Sequence, residues 1–336
     1  MRRFLTPRKL LLAVAAVIAA AVVLVLVLPD KEVYIFLPDE PHSVEPLISV
    51  PNGKNPDNKG GLYFVDVIVK QPSLAERWFP GLFHDGATLV PAKAVNPTGL
   101  SERDRRRASL QMMSRSQRLA ATVALRAAGY RVRVTQQGAF VVEVLPGTAA
   151  ARDLHPSDVI VEIDGDHVGT LAKLREILAT KKPGDRISLK VRREGKPLEF
   201  DLTLGADPSD EKRAVIGVLV EQAANIRLPV KVQIDTGNVG GPSAGLAMAL
   251  GLLEKLGRDV DHGRRVAATG EIELDGSVGP VGGIKQKTIG ARDAGIQIFL
   301  VPAGDNAREA SRYADGMRVV PVRSFQQALQ ALATTS

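Results

Sequence analysis

The sequence predicts an α+β fold that follows an apolar helix at the N-terminus. Residues 10–28 form an uninterrupted apolar run. Strand-like runs such as Gly61–Lys70 and Val230–Asp235 alternate along the chain with stretches of helical spacing, such as Ser101–Ala128 and Ala244–Leu256. The 336 residues are enough for two ordinary domains in addition to the N-terminal helix.

Composition excludes several classes of protein. Apolar residues make up 45% of the chain, which supports packed cores, and no cysteine is present for disulfides, thiolate catalysis or thiolate metal sites. The five histidines show no His-Glu-x-x-His spacing, so neither a metal nor another cofactor is expected. Of the net charge of +7, four positive charges lie in the first nine residues, and the remaining +3 does not indicate a nucleic-acid partner.

The apolar run at residues 10–28 predicts a single-pass transmembrane helix. Its nineteen residues suffice for ~30 Å of hydrocarbon, and four basic residues precede it. The positive-inside rule then places residues 1–9 in the cytoplasm as a short tail and everything after Pro29 on the other side of the membrane. A cleaved signal peptide is the alternative interpretation, but its apolar region is usually only ~7–15 residues long.

Residues 30–129 are predicted to form an N-terminal region outside the membrane. Its first thirty residues are rich in proline and charge and indicate an extended leader, and residues 71–100 read as irregular. A long helix follows over Ser101–Ala128, with Ser101 and Asp104 as a capping box and Gly129 as its stop.

Residues 130–205 resemble a PDZ domain of the bacterial protease type. The resemblance lies in Gly138–Gly165, followed by a helix over Leu171–Ala179 and two strands that end near residue 204. It implies a groove in which a peptide adds as a strand to the sheet edge, beside that helix. We predict that the groove is lined by residues of the segment after Gly129 and of the helix, namely Tyr130, Arg131, Val132, Leu171, Leu174 and Leu178.

Ser243 is a candidate nucleophile because of its position at the start of a helix. It follows Gly240-Gly-Pro and precedes an apolar run with helical spacing, so it is predicted to lie in the first helical turn. Backbone N–H groups there lack intrahelical partners and suit the oxyanion of acyl transfer, and those of Ser243 and Ala244 are the candidates. A helix-capping serine is the common alternative interpretation.

A serine hydroxyl needs a base, and Lys287 is the candidate. Lysine acts as a base only when burial or a positive field lowers its pKa far below ~10.4. Lys287 follows a glycine-rich apolar stretch that can bury the amine, and Thr269 is placed to hydrogen-bond it. Lys285 is expected to be a solvated neighbour, and a lysine in a first turn is itself more often solvated than buried.

The two segments together resemble the proteolytic domain of the Lon family, over Gly240–Pro302. This resemblance implies a Ser243–Lys287 dyad, with the second lysine of Lys-x-Lys catalytic, and a ribosomal-protein-S5-like α/β fold over residues 206–333. The PDZ domain would then be inserted into a Lon-type domain that begins in residues 30–129. The family also implies a homo-oligomeric ring, in its usual form a hexamer. Gly240 departs from the family, which has aspartate at that position.

The function predicted is that of a membrane-anchored serine endopeptidase whose catalytic domain is extracytoplasmic and whose substrates are unfolded or flexible proteins. No Gly-x-x-x-x-Gly-Lys-Ser/Thr loop occurs, so ATP-driven unfolding is not expected of this chain. A trypsin-like PDZ protease is a poor alternative, because Val239 stands where its nucleophile would be. A non-catalytic PDZ adaptor with a protease-like domain remains the main alternative.

Overall fold

A computed structural model describes residues 7–54, 60–96 and 99–334. The N-terminal region is a series of short elements that ends in one long helix. Its elements are α1 (Pro7–Val27), β1 (Val33–Pro38), β2 (His42–Ser43), β3 (Ile48–Ser49), β4 (Gly61–Phe64), β5 (Val67–Lys70), α2 (Leu74–Trp78), α3 (Pro80–Phe83), β6 (Thr88–Pro91), α4 (Ala92–Val95) and α5 (Glu102–Ala127).

The middle of the chain is rich in strands. Its elements are β7 (Arg133–Val144), β8 (Val159–Ile163), β9 (Asp166–His167), α6 (Leu171–Ala179), β10 (Arg186–Arg193), β11 (Lys196–Thr203), β12 (Gly205–Asp207), β13 (Asp210–Val215) and β14 (Val218–Arg227). Helices and strands then alternate as β15 (Gln233–Ile234), α7 (Gly245–Lys255), β16 (Arg265–Ala268), β17 (Glu271–Ile272), β18 (Val278–Gly279), α8 (Ile284–Asp293), β19 (Ile298–Pro302), α9 (Asp305–Tyr313), β20 (Arg318–Val322) and α10 (Phe325–Ala333).

The N-terminal helix α1 covers most of the predicted transmembrane segment 10–28, and residues 1–6 of the predicted cytoplasmic tail lie outside the described residues. Apolar side chains are exposed along α1, as shown by Leu11 at 71% and Ile18 at 58%. Within the described ranges, no helix meets both the length and the apolarity that crossing a membrane requires. The predicted membrane span is therefore not confirmed.

The extended and irregular segments predicted before residue 100 contain more structure than expected. β1 pairs with β5 on one side and β6 on the other, forming a three-stranded antiparallel sheet. Short helices follow β5, and Ser73 starts α2 with a full capping box to Glu76. The predicted long helix is confirmed as α5, where the Ser101 hydroxyl accepts a hydrogen bond from the Asp104 N–H.

Chain segments from both sides of the PDZ region share one sheet. Its order is β2-β4-β16-β19-β20, with β4, β16, β19 and β20 parallel. α7 packs on this sheet and α5 packs against α7, so that the buried Leu119 and Val123 of α5 enter the same core as Leu246 and Leu250 of α7. The β4 and α5 elements thus help to bury the helix that follows Ser243.

The PDZ region forms its own sheet and core. The order is β11-β10-β8-β7-β14, and α6 covers the core formed by side chains such as Ile160, Ile163 and Leu189. β14 pairs with β7 from Val218↔Val144 to Arg227↔Arg133, so this sheet extends past the predicted boundary at residue 205. The chain leaves β14 and reaches the Ser243 loop through β15.

Candidate active site

The loop that carries Ser243 lies between β15 and α7. Ser243 is in the turn two residues before α7, and not in its first turn as predicted, because Ala244 is the N-cap residue. The loop is anchored to α5, since the Gly241 N–H donates to the Ser109 carbonyl (2.9 Å) and the Ser116 hydroxyl donates to the Pro242 carbonyl (3.0 Å).

The backbone N–H groups of Ser243 and Ala244 have no hydrogen-bond acceptor among the described residues. The next residue differs, because the Gly245 N–H donates to the Pro242 carbonyl at 3.2 Å. Two adjacent N–H groups beside a serine hydroxyl, at the entry to a helix, are suited to hold a developing oxyanion.

Thr269 connects the serine loop to Lys287. The Lys287 Nζ donates to the Thr269 hydroxyl at 3.2 Å, and that hydroxyl donates to the Ser243 carbonyl at 3.2 Å. The Gly270 N–H also donates to the Ser243 carbonyl, at 2.8 Å. The structure thus brings together the three polar residues that the sequence singled out, and Thr269 contacts both of the others.

Lys287 is buried, with 3% of its surface exposed. Burial lowers the pKa of its amine to about 8, although the nearby carboxylates of Asp66 and Glu271 act in the opposite direction. A buried ammonium loses its hydration, and among the described residues Lys287 forms no ion pair within 4 Å to compensate. About a tenth of the amine is therefore neutral at pH 7, and the neutral form is the one that a general base requires.

The sheet formed by β1, β5 and β6, with the loop before β6, covers the helix α8 that carries Lys287. Lys285, predicted to be solvated, is partly buried and donates to the Ala87 carbonyl (3.0 Å) and to the Thr88 hydroxyl (3.3 Å). Gln286 donates to the Gly86 carbonyl at 3.0 Å. The prediction for Lys285 was wrong because α8 is anchored by a segment about 200 residues away in sequence.

The same N-terminal segment brings carboxylates to the site that the sequence analysis missed. Asp66 follows β4, and burial raises the pKa of its carboxyl group. The His42 Nε2 lies 3.6 Å from an Asp39 oxygen and 3.3 Å from an Asp66 oxygen. A motif search does not find these residues, since nothing in the local sequence indicates that they lie near Lys287.

A second carboxylate group adjoins Thr269. Carboxylate oxygens of Glu221, Glu271 and Glu273 lie within 4.8 Å of one another, a spacing that suits a cation. Arg115 forms an ion pair with Glu221 at 2.5 Å. Burial, followed by the charge of Glu221, raises the pKa of Glu271 to about 7. The arginine offsets part of the mutual repulsion of these carboxylates.

Replacing Glu273 with glutamine should raise the melting temperature at pH 9 and change it little at pH 5. Burial, and then Glu221, raises the pKa of Glu273 to about 8. The folded state therefore binds this proton more tightly than the unfolded state, and stability falls as pH rises from 4.5 through 8. Because glutamine does not ionise, we expect a gain of ~3–6 °C at pH 9.

Thermal melts at pH 5, 7 and 9 test this expectation, with Glu309→Gln as a control at an exposed site. A gain that is equal at all three pH values would show that the side-chain shape, and not its ionisation, determines the effect.

Packing explains why glycine stands at position 240, where the resemblance to the Lon family leads one to expect aspartate. A Cβ atom at this position would lie 2.3 Å from the Ser109 hydroxyl and 3.1 Å from the Ser109 Cβ. The long helix α5 therefore occupies the space that an aspartate side chain would need. Ser243 and Lys287 line a cleft of about 570 Å³, and Gly240 lines it beside them.

The predicted PDZ groove residues are not arranged as expected. Tyr130 to Val132 precede β7, and the next residue, Arg133, pairs with Arg227 of β14. Gln222, which accepts a hydrogen bond from the first N–H of α6, lies five positions from Arg227, roughly 16 Å along a strand. Tyr130 to Val132 therefore lie beyond the start of α6. The strand that flanks this helix is β14, which follows the PDZ region in the chain.

The three predicted leucines of α6 lie on the side of the helix that faces the PDZ core. Leu174 is buried, and Leu171 and Leu178 are partly buried against the same core. The outer strand of the PDZ sheet near α6 is β14.

Two family models match the chain. Residues 127–204 match the PDZ domain, and residues 217–334 match the Lon protease (S16) C-terminal proteolytic domain. The chain carries a PDZ domain followed by a Lon-type proteolytic domain. The Lon-type domain supports assignment to the serine peptidases, which are hydrolases.

Curated relatives match either domain. Lon protease 2 of Bacillus subtilis (strain 168) is 32% identical over 130 residues, which are 39% of this chain and 20% of that protein. The Lon protease of Chloroflexus aggregans is 31% identical over 168 residues, 45% of this chain and 20% of that one. The periplasmic pH-dependent serine endoprotease DegQ of Escherichia coli (strain K12) is 40% identical over 80 residues, 24% and 18% of the two chains.

The chain thus spans about a fifth of the length of these relatives. Among solved structures, the PDZ domain of an SdrC-like protein from Listeria innocua is 30% identical, with a TM-score of 0.24, covering 25% of this chain and 94% of that one.

Proposed function

We propose that this chain is a serine endopeptidase in which Ser243 and Lys287 form the catalytic dyad. The observation that carries the proposal is the buried Lys287 amine, whose hydrogen bond to Thr269 joins it to the Ser243 backbone. Neutral Lys287 takes the proton from the Ser243 hydroxyl as it attacks the scissile carbonyl, and returns it to the leaving amine.

Stabilisation of the oxyanion and hydrolysis of the acyl-enzyme use backbone and side-chain groups that are already in the cleft. The N–H groups of Ser243 and Ala244 stabilise the oxyanion of the tetrahedral intermediate. Water then hydrolyses the acyl-enzyme, with Lys287 acting as the base again. Thr269 orients the amine without contacting the scissile bond, so it is a positioning residue.

The PDZ domain supplies peptide recognition in this proposal. β14 is the outer strand beside α6, and its exposed Leu219 (50%) and the partly buried Val218 and Val220 offer an edge for an added strand. This edge replaces the groove predicted at Tyr130–Val132. Because no nucleotide-binding loop occurs in the chain, we propose substrates that are already unfolded or flexible.

Anchoring at a membrane, an extracytoplasmic catalytic domain and a hexameric ring stay predictions from the sequence. Carbonate extraction of membranes from cells that express the full chain would test the first. Protease protection of intact cells and sedimentation of the purified chain would test the other two.

The proposed function is tested by incubating the purified full chain with an unfolded, fluorescently labelled protein in the absence of nucleotide. We expect cleavage by the native chain, and a loss of at least about 10³-fold in Ser243→Ala, because a dyad without its nucleophile retains little activity. Ser311→Ala on the surface of α9 is the matched control and should cleave normally.

Two outcomes would contradict the proposal. Equal cleavage by the native chain and Ser243→Ala would mean that another nucleophile acts. No cleavage by a folded native chain that still binds peptides would favour the adaptor, in which Ser243 has no role.

A further inference from the structure

We propose that the substrate main chain binds as an additional strand on the free edge of β5 and places a basic side chain beside Asp39 and Asp66. This inference rests on the proposed function, because it specifies how a polypeptide reaches Ser243 and which sequences are preferred.

β5 is an edge strand. In the sheet ordered β5-β1-β6, its four residues pair with β1, from Pro38↔Val67 to Ile35↔Lys70, and no strand in the described parts of the chain pairs with its other side. Ile68 and Val69 are 42% and 40% exposed. An exposed strand edge presents unpaired N–H and C=O groups, to which an extended peptide can pair.

This free edge opens on the catalytic cleft. Val67 and Ile68 line the same cleft as Ser243 and Lys287. Paired strands lie about 4.8 Å apart, so a peptide paired with β5 runs within the cleft. Gly282 also lines the cleft, and a Cβ atom built on it would meet nothing within 4 Å, which leaves room for the peptide.

The charges that line the cleft favour a cationic occupant. Three carboxylates, those of Asp39, Asp66 and Glu271, line it, and Lys287 is the one lysine or arginine in its described lining. Lys287 is buried, and its amine must be neutral before it can take the serine proton as a base. A lysine or arginine side chain of the substrate then supplies the positive charge that these carboxylates lack, whereas a glutamate side chain is repelled.

The environment of Asp66 supports this assignment. One of its oxygens is shielded from solvent and forms no hydrogen bond within the described ranges, and the His42 Nε2 lies 3.3 Å from it. The Asp66 side chain as a whole is 24% exposed and lines the cleft, so a substrate cation can approach this carboxylate from the cleft. Its positive charge also favours the neutral form of Lys287, because like charges near an amine disfavour its protonation.

The strand pairing is tested with the full chain and a ten-residue peptide that has arginine next to the scissile bond. One backbone nitrogen at a time is methylated, at every position along the peptide. Because paired strands exchange hydrogen bonds at every second residue, we expect kcat/KM to fall at least about tenfold at alternate positions and less than about twofold at those between. Equal losses at all positions, or none, would overturn the pairing.

The charge preference is tested by replacing the arginine of the peptide with leucine or glutamate. We expect the order arginine, leucine, glutamate in kcat/KM. Asp39→Asn should lower the arginine-to-leucine ratio several-fold, whereas Asp201→Asn, an exposed site on β11, should leave that ratio unchanged. A ratio near one in the native chain would overturn the basic preference.

Ser243→Ala separates this inference from the proposed function. Suppose that the native chain cleaves the parent peptide and Ser243→Ala does not, but that N-methylation has no alternating effect and kcat/KM does not follow the order arginine, leucine, glutamate. The proposed peptidase activity then stands, and the proposed pairing with β5 is wrong. If a folded native chain cleaves no peptide, both fail.

Discussion

Replacing Lys287 with methionine should abolish peptide cleavage, with a loss of at least about 10³-fold in kcat/KM. Methionine preserves the length and the packing of the buried side chain but accepts no proton. The folded state should survive, because burying a thioether costs less than burying an amine without an ion-pair partner. Lys93→Met on an exposed helix is the matched control and should retain full activity.

The native chain should show the ionisation of Lys287 in its pH profile. The pKa of about 8 means that the amine is mostly protonated at pH 6 and mostly neutral at pH 9. Because only the neutral amine acts as the base, kcat/KM should rise about tenfold per pH unit below 8 and level off above it. Glu271, with a pKa of about 7, ionises within this range and broadens the rise.

Initial rates between pH 5.5 and 9.5 on an uncharged peptide measure this profile. A flat profile over this range, or a Lys287→Met variant that retains a tenth of the native rate, would show that another group removes the serine proton.

The second large effect is expected from Gly290→Ala in α8. A Cβ atom at this position would lie 2.0 Å from the backbone oxygen of Asp39, and a backbone atom cannot move aside cheaply. Alanine favours a helix over glycine by about 1 kcal/mol, but the clash outweighs that gain, since overpacking costs about 1–3 kcal/mol or more. We expect a lower melting temperature and at least tenfold lower kcat/KM.

The activity falls in this variant because α8 must move away from the segment that covers it. Lys287 then becomes more exposed to water, its pKa rises, and less neutral amine is present at pH 7. The rise in the pH profile should shift towards higher pH. Gly81→Ala, where an added Cβ meets nothing within 4 Å, is the control and should alter neither property. An unchanged melting temperature in Gly290→Ala would mean that α8 is not tightly packed against Asp39.

The residues of the proposed dyad are predictable from the sequence because their settings are local. The glycine-rich turn before Ser243 and the glycine-rich stretch before Lys287 each span about ten residues. Ser101 as the cap of α5 is similarly local and is confirmed.

The groups that surround Lys287 were not predictable in this way. Asp39 and Asp66 come from short segments about 245 and 218 residues before α8, and only the packing of the β1-β5-β6 sheet on that helix brings them near. The predicted position of the PDZ groove differs from the structure for a related reason. The strand beside α6 is β14, which follows the PDZ region in the chain and pairs antiparallel with β7.

The sequence by itself determined which side chains we propose to carry the chemistry, because the candidate nucleophile, the candidate base and the helix entry are encoded by residue type and short-range spacing. Tertiary structure decided the state of those side chains. Burial of the Lys287 amine, its hydrogen bond to Thr269, the carboxylates beside it and the free edge of β5 all depend on contacts between distant segments. A pKa and a binding edge are properties of an environment, and that environment exists only after the chain has folded.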